Sequence, residues 1–331
     1  MESKSVSSAK PTTSSSRKRT APTEDPKIIA AKKAKFYSSY IFQEWSLPDP
    51  VINYITKNPP SSKMYEKMIK CCKHFFIKNP ILIIPALNYN KEVKEKEGIW
   101  KFSYGGKSVN LEKIKSKLWI TDNFSVMAPK KAAIDSKLIS SLVPRIHQCD
   151  AENVSFCDQV LSFADLKLLF SSVKKSIHLC RVTVRNDGGS IVPFEKLLEV
   201  CTKAERITFR CDSDVAAITS ITCNELVKIP HFRELDYVCL KNIPETFDIE
   251  AFNVYIKQNQ QTFFEFFFDG PVSEEYKNRL EKVIDEIIQT GNNENNNYKI
   301  PYIYFSGLEE KCTQLAMLCY CISITPMVHP L

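Results

Sequence analysis

Glycine is scarce in this chain, 8 residues in 331, against a usual share of about 7%. That shortage argues against folds whose phosphate-binding loops need several glycines. No glycine-rich nucleotide loop is present, and no serine stands between two glycines at the spacing of a nucleophile elbow. Uninterrupted apolar runs of about 18 residues, the length that spans a bilayer, are also lacking. The first thirty residues are rich in Ser, Thr, Lys and Pro instead of carrying a charged start followed by an apolar stretch, so neither export nor a membrane partner is expected. The five histidines have no metal-ligand spacing, and Cys319 and Cys321 lie in an apolar context that disfavours the thiolate a metal needs. No catalytic residues, metal or cofactor are therefore expected, and the chain reads as non-enzymatic.

Cysteine, by contrast, is plentiful. Twelve are scattered through apolar runs without an export signal, which fits free, buried thiols in a reducing compartment better than a disulfide framework. The net charge of +7 is uneven. Residues 1–36 hold nine Lys or Arg against three acidic residues, and residues 37–331 hold 36 against 35. Electrostatic attraction to nucleic acid, if any, belongs to the tail only.

That tail, residues 1–36, is too polar to repay the entropy of ordering and is expected to be disordered. Lys18 and Arg19 are followed after a twelve-residue spacer by Lys32, Lys33 and Lys35. Two such clusters resemble a bipartite nuclear localisation signal, an extended peptide whose basic side chains dock on an import receptor, implying a protein of nucleus and cytoplasm.

Residues 37–90 read as a small helical unit. Asp49 can cap a helix with Pro50 in its first turn, and Val51, Ile52 and Ile55 share one side. Asn58, Pro59 and Pro60 end it. Ser61 or Ser62 can cap a second helix whose apolar stripe runs through Tyr65, Met68, Ile69, Cys72 and Phe76, and "NPILIIPAL" follows as a short buried segment.

From residue 91 onward, helix-like and strand-like stretches alternate. A hairpin with Gly105 and Gly106 at its tip comes first. Strand candidates then centre near Phe124, Val154, Val182, Ile207, Tyr237, Phe264 and Ile303, every 25 to 30 residues until a last interval of 39. The clearest helix spans "SEEYKNRLEKVIDEIIQTG", with Ser273 as cap, Tyr276, Leu280, Val283, Ile284, Ile287 and Ile288 on one face, and Gly291 in a left-handed terminating position. One helix and one strand per roughly 28 residues predicts an α/β leucine-rich-repeat-like solenoid over residues 91–331, with a generic α/β sheet as the alternative.

The stretch 47–79 resembles the F-box, a helical module in receptor subunits of cullin-based ubiquitin ligases. The matching features are Leu47-Pro48, Val51-Ile52, the break at Pro59-Pro60, and Cys72-Lys73 followed by Phe75. The sequence departs from the pattern where Pro50 replaces an acidic residue and Cys71 an aliphatic one. An F-box-like module followed by repeats is similar to the large F-box-like families expanded in nematodes. The resemblance implies an α/β protein with a small N-terminal helical F-box-like module followed by the solenoid. It further implies a substrate receptor that binds a ubiquitin-ligase adaptor protein through the helices and an unknown target protein through the repeats. Leu47, Pro48, Val51, Ile52, Ile55, Met68, Cys72 and Phe75 together would supply the module's interior and its adaptor-binding face. The same pattern would serve a cap closing the end of a solenoid, and a nuclear or chromatin-associated scaffold without a ubiquitin role is the second functional reading.

Overall fold

In the computed structural model the described residues are 26–41, 44–90, 99–104, 107–111, 114–127, 134–211, 217–270, 272–291 and 297–321. Lys18 and Arg19, the hairpin glycines 105 and 106, and the asparagine-rich residues 292–296 lie outside them.

The centre is one eleven-stranded sheet. Its path runs from β1 (Ile81–Asn90) through β4 (Lys117–Met127), β6 (Asn153–Cys157), β8 (Ser176–Cys180), β10 (Arg206–Arg210), β11 (Tyr237–Lys241) and β12 (Phe263–Phe268) to β13 (Tyr302–Phe305). Every neighbouring pair on that path is parallel. β5 (Ile146–Cys149) also pairs with β4, and the antiparallel hairpin of β2 (Ile99–Tyr104) and β3 (Lys107–Asn110) extends the sheet beyond β1. A two-stranded sheet of β7 (Val160–Ser162) and β9 (Thr183–Arg185) lies apart.

Eleven α-helices accompany these strands among the described residues. α1 (Pro26–Ser38), α2 (Asp49–Lys57), α3 (Ser62–Cys71) and α4 (Lys73–Lys78) precede the sheet. The connections carry α5 (Leu138–Leu142), α6 (Phe163–Phe170), α7 (Phe194–Leu198), α8 (Thr222–Leu226), α9 (Ile249–Gln258) and α10 (Glu274–Gly291), and α11 (Glu309–Cys321) follows β13. The chain is thus mixed α/β with a mostly parallel central sheet.

Alternation along each strand decides where the core lies. In β12 the sequence FFEFFF sends Phe264, Phe266 and Phe268 inward and Phe263, Glu265 and Phe267 to the other face. The inward rows, including Val154, Phe156, Ile177, Leu179, Ile207, Phe209, Val238 and Leu240, join the apolar faces of α5 to α11 in one continuous core. In α10 the residues Tyr276, Leu280, Val283, Ile284 and Ile287 are buried at helical spacing, and Ser273 accepts a hydrogen bond from the Tyr276 amide at 3.3 Å.

Several expectations need correction. A helix occupies Pro26–Ser38, where composition predicts an unstructured tail through residue 36. The helical unit ends at Lys78, and residues 81–90 of its expected span form β1, hydrogen-bonded within the main sheet. Pro48, not Asp49, occupies the cap position of α2, and no side-chain cap bond forms there. The stripe from Tyr65 to Phe76 is broken because Cys72 adopts an extended conformation (φ −148°, ψ 129°) between α3 and α4. The sheet strand near Val182 is Ser176–Cys180, whereas Thr183–Arg185 pairs with β7 instead. Gly291 closes α10 inside the helix, not in the left-handed region. A Cβ there would meet Ile300 Cδ1 at 3.0 Å and Leu318 Cδ1 at 3.4 Å, so close packing is what calls for glycine.

Candidate functional site

Two surfaces stand out. The first is built by α2, whose Asp49-Pro50 start places proline in the first turn where its missing N–H costs nothing. One side of the helix turns inward: Ile52 is 5% exposed, Thr56 is buried with its hydroxyl donating to the Ile52 carbonyl, and Ile55 is half-buried. The other side turns outward, with Val51 40% exposed and Tyr54 68%, continuous along the chain with Leu47 at 47%. Seven of the twelve exposed large apolar side chains among the described residues fall between residues 28 and 64, so apolar exposure is concentrated at this end of the chain.

This geometry divides the eight sequence candidates. Ile52 and Phe75, the latter 8% exposed beside Trp45 and His74, belong to the interior. Ile55, Met68 and Cys72 are half-buried, Cys72 as the joint between α3 and α4. Leu47, Pro48 and Val51 are exposed. Tyr54 and Met64, also exposed, were not singled out by sequence reasoning, although Tyr54 follows Val51 at the i+3 spacing that shares a helix face.

The helices α2 to α4 sit on the face of the sheet opposite α5 to α11. Fully buried Tyr65 meets Ile81 and Trp119, with Ile69 and Ile83 packed around them, in a cluster separate from the main core. Tyr65 donates its hydroxyl proton to the Asn79 carbonyl and accepts from the Ile81 amide at 3.3 Å, while Asn79 Nδ2 donates to the Thr56 carbonyl at 2.9 Å. Burial raises the Tyr65 phenol above its ordinary pKa, keeping it a neutral donor. Beside this anchor runs a groove of about 840 Å³, floored by Ile69, Phe76, Ile81 and Ile83 and edged by Lys63 and Lys73.

The second surface is the remainder of that sheet face, on which strand registers bring side chains into rows. Asn88, Ser125, Ser155, His178, Thr208, Cys239 and Glu265 share one row across seven parallel strands. The early half of this face is polar: Ser125 Oγ donates to Asn88 Oδ1 at 2.6 Å, and in the preceding row Ser176 Oγ donates to Asn153 Oδ1 at 2.7 Å. In the later half of the face Cys239 and Glu265 are buried, and the rows on either side of them are aromatic and cationic. The Arg206 guanidinium lies 4.4 Å from the Tyr237 ring centre, and Lys241 Nζ lies 4.7 Å from that of Phe267. Phe267 in turn meets Tyr302 and Tyr304, and Tyr237 donates to the buried Glu265 carboxylate. Sequence reasoning named none of these residues as a site, although every second position of each strand candidate was available to it.

The basic cluster Lys32, Lys33 and Lys35 lies exposed on α1, so these side chains are presented on a helix and not on an extended peptide. Among the described residues no helix is long and apolar enough to cross a membrane, and no group of three His, Cys, Asp or Glu side chains could hold a metal ion.

No protein-family model matches the chain, and no curated protein matches it. The class that fold and surfaces define is therefore a mixed α/β protein whose mostly parallel sheet has two differently furnished faces.

Proposed function

We propose that this protein is a non-enzymatic substrate receptor of a cullin-based ubiquitin ligase. It docks a small adaptor protein through the outer face of α2 and presents a target protein on the half-buried middle of the sheet face opposite α5 to α11, from Ser125 to Thr208, between α2 to α4 at one end and the buried Cys239 and Glu265 at the other. The observation that carries the reading is the division of α2: Ile52 and Thr56 hold the helix to its own fold, and Leu47, Val51 and Tyr54 remain as an apolar stripe. An end cap would spend its apolar residues on the following strands. Here the seal to those strands is made by Tyr65 and Ile69 on α3 instead. The sequential order of the parallel strands, with helices returning on one face, supports a leucine-rich-repeat-like solenoid as the scaffold that holds target and adaptor apart.

Replacing Leu47 and Val51 together by Asp tests the reading. Both are exposed, so stability should change by no more than about 0.5 kcal/mol per site. Loss of apolar anchors at an interface centre costs about 2 kcal/mol or more, roughly thirtyfold in affinity. Wild-type protein is expected to co-purify with the purified adaptor and the double variant to lose it while keeping its circular dichroism and melting temperature. Equal retention of the adaptor by both proteins, or by neither, would overturn the assignment.

A further inference from the structure

The row of the same sheet face that continues into Arg210 and Lys241 carries a concentration of sulfur. Cys157, the last residue of β6, is in register with Cys180, the last residue of β8. Neighbouring strands lie about 4.8 Å apart, within the Cα separation of about 4.4–6.8 Å that a disulfide accepts. Both cysteines are free thiols, and Met127, ending β4, brings its Sδ to 3.4 Å from Cys157 Sγ.

The residues that follow each cysteine complete the surroundings. Asp158 and Arg181 both adopt left-handed backbone conformations, φ 55° and 52°, unusual for residues with side chains. Their amides bond to the next strand, Asp158 to the Cys180 carbonyl and Arg181 to the Arg210 carbonyl, each at 3.0 Å. In this pose the Arg181 guanidinium grips both Asp158 carboxylate oxygens, at 2.6 and 2.9 Å, and donates from Nη1 to Cys180 Sγ at 3.4 Å. A cation is therefore fixed against one thiol of the pair. Cys180 is half-buried and Cys157 buried, so Cys180 is the more accessible residue of the two.

We propose that Cys180 and Cys157 form a peroxide-oxidisable dithiol, with Cys180 as the reacting sulfur and Cys157 as the resolving one, closing to a disulfide across β6 and β8. The Cys180 thiolate attacks one oxygen of hydrogen peroxide. An S–O bond forms as O–O breaks, hydroxide leaves and takes up a proton, and the sulfur is oxidised by two electrons to a sulfenic acid. The Cys157 sulfur then attacks the sulfenyl sulfur, S–S forms as S–O breaks, and hydroxide departs with the Cys157 proton as water. Its neighbours Cys157, His178 and Arg181 hold the Cys180 thiol below the ordinary thiol value, whereas burial pushes Cys149, Cys201, Cys223, Cys239 and Cys319 up to about 12. This site stands independently of the receptor reading.

The test uses the full chain, reduced and then exposed to a few equivalents of hydrogen peroxide, with remaining thiols blocked before tryptic digestion. Mass spectrometry should find the peptide of residues 176–181 linked to that of residues 146–167, with fragmentation placing the bridge at Cys157. Iodoacetamide at pH 7 should label Cys180 at least about tenfold faster than exposed Cys71. In Cys157→Ser, dimedone should trap Cys180 as its sulfenic acid, and Arg181→Gln should slow the labelling. The wild-type measurements need no substitution to fold. Recovery of Cys180 as free thiol at a dose that oxidises Cys71, or its oxidation without a bond to Cys157, would overturn the proposal.

Discussion

Tyr65 shows how much can rest on one side chain. Its ring fills the small cluster with Ile81 and Trp119, and its hydroxyl serves the Asn79 carbonyl and the Ile81 amide, so one phenol ties α3 to the first residue of β1. Trp119 is fixed in turn by its Nε1 donating to Asp150 Oδ2 at 2.7 Å. Tyr65→Phe would keep the ring and strip two backbone groups of that partner, a loss of about 1–3 kcal/mol. Because the cluster is separate from the main core, hydrogen exchange should accelerate at amides of residues 49–78 and stay unchanged in β6 to β12. Uniform acceleration across the sheet would show that the anchor is not local. From the sequence Tyr65 was legible as an apolar position, but its weight was not. It looked like the first of a stripe continuing to Phe76, and nothing at Cys72, neither glycine nor proline, announced the extended residue that divides the stripe.

At the scale of elements, strands carrying clean alternation were legible and short helices were not. The runs around Ile207, Tyr237, Phe264 and Ile303 became β10 to β13, because β-rich segments with turn signals on both sides leave little ambiguity. Near Val182 the same rule chose the more β-branched stretch, yet Ser176–Cys180 won. Its Ile177 and Leu179 face the core, and Arg181 at φ 52° ends the strand. Helices of five residues such as α7 and α8 offer barely one turn of periodicity, too little for pattern to fix their bounds. The start of α6 is better determined. Ser162 accepts from the Asp165 amide at 3.0 Å, Asp165 Oδ2 accepts from the Ser162 amide at 3.3 Å, and Ser140 on α5 donates to that same oxygen at 3.1 Å. Ser162→Ala should therefore cost about 1 kcal/mol, read as a lower urea midpoint with unchanged slope. An unchanged midpoint would mean that tertiary packing alone fixes where α6 begins.

Across the whole molecule, proton uptake links the two ends of the fold. His74 lies beside Phe75 and Trp45, His147 against Trp119, and His231 at the turn before β11; burial holds all three below the ordinary histidine value of 6.5. In His74 and His231 a buried Nε2 has no hydrogen-bond partner among the described residues, and Asp49 beside His74 and Glu234 beside His231 offset the cost of charging a buried ring only in part. The unfolded chain takes up protons near 6.5 and the folded chain only at lower pH, so this stability is complete above 6.5 and drains away as pH falls toward the folded values. Carboxylates act later. The Arg279 guanidinium beside Glu250 and the Ser273 amide on Glu245 hold those groups below 4.5, and their contribution is lost only as pH falls through that value. The melting temperature should thus be flat from pH 8 to 7 and decline between 6.5 and 5, above the range in which Glu245 and Glu250 titrate. Added salt separates the causes, since it screens the exposed pairs but leaves the cost of charging a buried imidazole unchanged. His231→Gln should flatten the decline between pH 6.5 and 5 without abolishing it, because His74 and His147 still titrate. A melting temperature constant down to pH 5 would mean that these rings gain protons in the fold as readily as in the open chain.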